Sequence, residues 1–102
     1  MPIDPNSLEI YHNIQAERFE IQLGEHLAVL EYHLDGSDLI LHHTGVPPVL
    51  EGQGIGSQLA QAGLEYAKEK AYRVVPLCSF IDAYIRRHPE YLDLVKKKDA
   101  LW

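Results

Sequence analysis

Residues 46–57 read Val46-Pro47-Pro48-Val49-Leu50-Glu51-Gly52-Gln53-Gly54-Ile55-Gly56-Ser57, and this stretch decides the fold. Pro47-Pro48 stops the strand before it, because proline cannot donate to a ladder. Behind the glycines, Ile55, Leu59, Ala62, Gly63, Tyr66 and Ala67 fall at steps of three and four, with Gln58, Gln61, Glu65 and Lys68 between them. That spacing predicts an amphipathic helix from about Gly54 to Lys70. Glycines between a strand and a helix let backbone N–H groups approach a ligand with no Cβ in the way. The helix start adds unpaired N–H groups and a partial positive charge. Together they suit a phosphate or pyrophosphate. By spacing alone, the turn also reads as a plain tight strand–helix connection.

Working outward toward the N-terminus, the chain reads as strands. Phe19, Ile21 and Leu23 alternate with Glu20 and Gln22, the period-2 signature of a half-buried strand. Gly24-Glu25 connects to a second run over Leu27–Leu34. Asp35-Gly36 is a hairpin turn, since both residues tolerate positive φ. A third run, Asp38–Val46, carries Leu39, Ile40 and Leu41 before His42, His43 and Thr44. Toward the C-terminus, Val74 and Val75 form a short buried strand ended by Pro76. Ser79 as N-cap and Asp82 reaching back predict a helix to Arg87, broken at Pro89. Pro89 then opens a last short helix with Tyr91, Leu92 and Val95. The order is βββ–α–β–α–α, to which a short strand around Leu8–Ile14 would add one. The fold class is α+β, with helices packed on a mainly antiparallel sheet.

The whole chain, residues 1–102, is one domain and long enough to bury a core without staples. Its hydrophobic fraction of 46% and charged fraction of 24% are those of an ordinary soluble protein. The loosest parts are expected at Pro2–Ser7 and the last few residues. A lone Cys78 excludes an intrachain disulfide and a Cys-built zinc site. With no signal-peptide pattern and no apolar run of membrane-spanning length, the expected location is cytoplasmic, away from any membrane. A net charge of -6 argues against nucleic acid as a partner and suits a basic acceptor such as an amine.

Two phosphate motifs are excluded. A P-loop needs Gly-Lys-Ser/Thr, but Ser57 follows Gly56 directly. A dinucleotide fingerprint belongs in a parallel βαβ unit, whereas an antiparallel meander precedes this turn. Instead, His43-Thr44, Val46-Pro47, the glycine turn, Val75-Pro76-Leu77-Cys78 and Tyr84-Ile85-Arg86-Arg87-His88-Pro89-Glu90-Tyr91 resemble the GNAT acetyltransferase superfamily. More closely they resemble its minimal members of about a hundred residues. The likeness covers roughly residues 17–95. It implies acetyl-CoA as co-substrate, no metal, and an amine or lysine side chain as acceptor. It also implies that strands 38–46 and 73–78 splay apart with pantetheine in the gap. Thr44, Val46, Pro76, Leu77 and Cys78 would then face pantetheine, with Gly52, Gln53, Gly54, Ile55, Gly56 and Ser57 around the pyrophosphate. Tyr84 and Arg87 would stand near the coenzyme. Glu51 departs from the pattern, because the family usually carries Arg, Lys or Gln there.

Acyl transfer needs a nucleophile, a polarised carbonyl and a proton for the departing thiolate. Cys78 ends the later strand just before a helix N-terminus, which would lower its pKa. It would form an acyl-enzyme, protonate the leaving sulfur, line the tunnel, or serve as a small buried hydrophobe. His43, on the earlier strand, is the candidate general base. Adjacent His42 is expected on the opposite face, so the two cannot share the site or a metal. Tyr84 and Tyr91 are either acids or core. Three readings stand: an acetyl-CoA-dependent N-acetyltransferase, a coenzyme A-binding module with little or no catalysis, and a dimeric interaction domain with a vestigial turn. The oligomeric state is a monomer or a homodimer.

Overall fold

Alternating side chains build the sheet in the computed structural model, which describes residues 8–96. Pro2–Ser7 and the chain end, expected to be loose, lie outside the described residues. Strands β1 (Tyr11–Asn13), β2 (Arg18–Leu23), β3 (His26–Asp35) and β4 (Asp38–Gly45) form an antiparallel meander. The additional strand is therefore real, and it is only a few residues long. Strand β5 (Arg73–Pro76) adds to β4 in parallel, giving the order β1-β2-β3-β4-β5. Between β4 and β5 come a 3-10 turn at Pro48–Leu50 and helix α1 (Ile55–Lys70). Helix α2 (Ser79–Arg87) follows β5. Pro89–Leu94 forms a 3-10 helix where an α-helix was expected.

One face of the sheet holds the core. Phe19, Ile21, Ala28, Leu30, Tyr32, Leu39 and Leu41 are buried there. They meet Ile55, Leu59, Ala60, Gly63, Leu64 and Ala67 of α1 and Ile81, Tyr84 and Ile85 of α2. The buried stripe of α1 thus includes Ala60 and Leu64, while Ala62 and Tyr66 stand at its margin. Gly63 permits the close approach: a Cβ there would lie 2.7 Å from Leu30 Cδ2.

Two local expectations are corrected. The helix starts one residue later than expected, at Ile55, because Gly54 is the N-cap in a left-handed conformation (φ 79°). Cys78, not Ser79, caps α2, and no side-chain cap bond forms. The first bond of that helix runs from the Asp82 N–H to the Cys78 carbonyl at 3.0 Å. The Asp82 carboxylate does not reach back; it pairs forward with Arg86, one turn on, at 3.0 Å.

The end of the sheet near β1 is closed by rings. His12 stacks on Phe19, its cross-strand partner, with centroids 4.1 Å apart. It meets Tyr66 edge-on at 4.5 Å and shares a 2.6 Å hydrogen bond with the Tyr32 hydroxyl. Burial pushes the Tyr32 phenol up to about 12, with Tyr66 and Glu17 adding to the effect. Burial likewise lowers the pKa of His12, because a half-buried imidazolium loses hydration.

Two outcomes follow from this packing. Leu30→Ala should cost about 2–5 kcal/mol in denaturant unfolding, since Leu30 is fully buried beneath Gly63. His12 has a folded pKa below its unfolded value of 6.5. Stability should therefore be full above 6.5 and fall as pH drops from there through the folded pKa. Unfolding measured over that range should show a shallower pH slope in His12→Gln than in the unsubstituted protein.

Candidate functional site

The site begins where β5 leaves β4. The two strands pair from Asp38↔Arg73 to Leu41↔Pro76. Pro76 has no N–H to extend the ladder. Beyond it, the Leu77 and Cys78 amides both turn to the Leu41 carbonyl, at 3.0 and 3.1 Å. β4 continues to Gly45 paired only with β3, so its other edge faces a gap.

A bulge shapes that edge. Tyr32 pairs with Leu41 and Glu31 with His43, which leaves His42 as an extra residue in β4. The alternation of β4 therefore shifts by one. Leu39 and Leu41 face the core, and after the bulge Thr44, opposite buried Leu30, takes the inner position. His43 stands opposite Glu31 on the outer face, exposed like His42. A Cβ on Gly45 would lie 3.1 Å from His43 Nε2, so the ring folds over Gly45 on that outer face. The expectation that His42 and His43 point to opposite faces fails for this reason, and His43 is not placed to serve as a base in the gap.

A cleft of about 530 Å³ opens there, lined by the Thr44–Val46 end of β4, Leu50 and Glu51, glycines 52, 54 and 56, Ile55, Ser57, and Phe80 from α2. Gly52 and Gly54 hold φ of 80° and 79°, a left-handed conformation that favours glycine. The first bond of α1 runs from the Gln58 N–H to the Gly54 carbonyl at 3.0 Å. The N–H groups of Ile55, Gly56 and Ser57 thus have no partner within the helix, and all three residues line the cleft. No side chain caps them. This donor set fits a pyrophosphate: three amides without helix partners at the positive end of a 16-residue helix.

Of the residues expected at the site, Thr44, Val46, Gly52, Gly54, Ile55, Gly56 and Ser57 come together here. Gln53, Pro76, Leu77, Cys78, Tyr84 and Arg87 do not line the cleft. Cys78 is nonetheless tied to it, since its thiol donates to Thr44 Oγ1 at 3.5 Å. Burial pushes this thiol up. Hydrogen bonding by the Thr44 hydroxyl and by the Ile81 and Phe80 amides outweighs burial and brings it below its ordinary value. Tyr84 is buried, its ring stacked on His88 at 3.9 Å, which makes it core. Tyr91 is core too, its hydroxyl donating to Glu65 at 2.7 Å. Arg87 lies exposed at the far end of α2.

Sequence reasoning missed Phe80 and Leu50 as lining residues. Phe80 forms a wall because Gly56 has no side chain: a Cβ there would lie 2.9 Å from the ring tip. Its only sequence signal was an aromatic in the first turn of α2. Among the described residues, no group of three or more His, Cys, Asp or Glu side chains could hold a metal ion. No helix among them is long and apolar enough to cross a membrane.

A meander with one parallel strand added beyond a splay, and an amide cradle at the mouth of that splay, is the architecture of the acetyltransferase fold. A GCN5-related N-acetyl-transferase family model matches residues 18–94. The chain belongs to that family. It is 32% identical to Protein NATD1 of Xenopus tropicalis over 97 residues, covering 89% of each chain. To Protein NATD1 of Mus musculus it is 33% identical over 91 residues, covering 84% of this chain and 83% of that one. A solution NMR structure of a GCN5-like protein from Staphylococcus aureus superposes with a TM-score of 0.69 at 30% identity. That superposition covers 91% of this chain and 94% of the other.

The thiol environment yields a direct measurement. Alkylation of Cys78 by iodoacetamide should reach half its maximal rate at a pH below that of an ordinary thiol. Thr44→Val, which removes the hydroxyl bonded to Cys78, should move that midpoint upward.

Proposed function

We propose that this chain is an N-acetyltransferase that uses acetyl-CoA and acetylates an amine. The observation that supports this reading most is the set of Ile55, Gly56 and Ser57 amides, without partners in the helix, on a cleft beside the free end of β4. Family membership and the neighbouring structure support it further. When bound, acetyl-CoA supplies an acyl group already activated as a thioester.

The chain's own residues bind and position. The amides of Ile55, Gly56 and Ser57 take the pyrophosphate. The free edge of β4 at Thr44–Val46 offers backbone groups to the pantetheine amides. Cys78 and Thr44 stand together at the inner end of the gap. A thiol whose pKa lies below its ordinary value gives up its proton more readily, so Cys78 can pass a proton to a departing sulfur. The same thiolate is a nucleophile that would take the acyl group before an amine does. Acetyl transfer forms a C–N bond, breaks the C–S bond and moves one amine proton to the departing sulfur or to solvent.

A second reading is a coenzyme A-binding module with little or no catalysis. It is favoured by one observation: among the described residues that line the cleft, Glu51 alone has an ionisable side chain. Among the described residues that line it, no histidine stands there as base for an acceptor amine.

Calorimetry with acetyl-CoA, followed by intact-mass analysis and acetylation assays on polyamines and lysine peptides, tests both. Saturable binding with transfer is expected. A +42 shift lost in Cys78→Ala would assign the covalent route, and unchanged transfer in that variant would assign direct attack. Binding with no transfer to any acceptor would favour the module. No binding at millimolar coenzyme would overturn both readings.

A further inference from the structure

Three polar side chains line the cleft among the described residues: Thr44, Glu51 and Ser57. Glu51 and Ser57 belong to the glycine turn and to the first turn of α1. Thr44 stands apart from them on β4. Of that strand's lining residues it is nearest in sequence to Leu41, where β5 turns away. It is also the one of the three whose oxygen meets another exchangeable proton, since the Cys78 thiol donates to its Oγ1 at 3.5 Å. The thiol itself does not line the cleft. The Thr44 hydroxyl is thus the group that the thiol and the cleft have in common.

A hydroxyl serves two neighbours at once, because it accepts through its lone pairs while it donates its own proton. A donor behind it polarises the O–H bond and strengthens its donation onward. The bulge at His42 puts the hydroxyl in this position by turning Thr44 inward, opposite buried Leu30. On its other side the Cys78 sulfur faces the Phe80 and Ile81 amides at the start of α2, which favour it as a thiolate once its proton has gone. The chain from amides through thiol to hydroxyl therefore has a direction, and it points at the cleft.

Building on the reading of the cleft as an acetyl-CoA site, we propose that Thr44 is a catalytic residue, the proton conduit between Cys78 and the departing coenzyme sulfur. After the amine has attacked the acetyl carbon, the C–S bond breaks and its electron pair stays on sulfur. The Thr44 hydroxyl gives that sulfur its proton and takes the proton of the Cys78 thiol in the same motion. Thr44 is again a hydroxyl, Cys78 is left as a thiolate, and the coenzyme departs as its thiol. The hydroxyl then turns and donates to the Cys78 thiolate until a proton returns to it from solvent. The acetylated nitrogen gives up the balancing proton to solvent.

Cys78 is the single cysteine of the chain, so NMR of protein carrying 13Cβ-labelled cysteine gives one signal that reports its ionisation. That signal is titrated with pH in complex with coenzyme A and with desulfo-coenzyme A, which lacks the sulfur, each complex being checked by calorimetry. Two thiols that share one hydroxyl proton titrate as a pair, the first proton leaving more easily and the second less so. The expected result is two separated steps with coenzyme A, either side of the single step seen with desulfo-coenzyme A. Thr44→Val should give one step with both ligands, and Thr44→Ser should bring the second step back. In acetylation assays Thr44→Val should lower kcat about a hundredfold with KM for acetyl-CoA unchanged, and Thr44→Ser should restore it. One and the same step with both ligands in the unsubstituted protein would overturn the proposal while leaving the coenzyme site standing, whatever Thr44→Val does. Two steps that persist in Thr44→Val would also overturn it, because the thiols would then be coupled without the hydroxyl. An unchanged kcat in that variant would do the same. Failure of the unsubstituted protein to bind either ligand would strike the coenzyme reading itself, and the conduit with it.

Discussion

The Leu41 carbonyl is the point on which this structure turns. It accepts from both the Leu77 and Cys78 amides, and past it the last strand no longer follows its neighbour. A parallel ladder needs a donor at regular intervals, and Pro76 withholds one where the strands part. The chain closes the ladder on a single acceptor and enters α2. Because β5 turns away there, the edge of β4 from His42 to Gly45 is left without a second partner. Unpaired backbone in a folded protein has to meet water, a side chain or a ligand. The cleft exists because the sheet stops pairing on one side before it stops on the other.

The helix on the far side of β4 completes the arrangement for a related reason. Pro47-Pro48 forces the chain out of the sheet, and left-handed glycines at 52 and 54 let it reverse within a few residues. The first turn of α1 then points at the gap. Gly63 lets that helix lie close on Leu30, and Gly56 lets Phe80 of α2 stand against its start. Packing and site are thus set by the same glycines: those in the turn fix backbone direction, and those in the helix fix distance.

Much of this could be read in the residues. Alternation over Phe19–Leu23, the Asp35-Gly36 turn, the prolines and the helical spacing behind Ile55 each act through near neighbours, and each placed its element within a residue or two. What stayed hidden depends on partners distant in sequence. The bulge at His42 is fixed by which β3 residues pair with β4. The only local trace is a change of parity, from Leu39 and Leu41 to Thr44 and Val46. Cys78 takes the capping position that a hydroxyl at Ser79 suggested, because the backbone bonds to Leu41 determine where the strand ends. The closure by His12, Phe19, Tyr32 and Tyr66 joins three strands and a helix, and no spacing within one segment announces it.

The bulge has three effects that one inserted residue would not ordinarily combine. It adds local bend and twist to β4 near the place where β5 departs, which favours separation of the strands. It moves His43 to the outer face, removing from the cleft the imidazole that strict alternation would have placed there. It also carries Thr44 inward, to within hydrogen-bonding reach of Cys78. With regular pairing, the thiol would lose the hydroxyl that offsets its burial, and the gap would be lined by a histidine instead. The pairing of a thiol with the hydroxyl of a cleft-lining residue, with no imidazole beside them, is therefore a consequence of sheet register. Changing it would require moving the register, because replacing His43 alone acts on a residue that faces away.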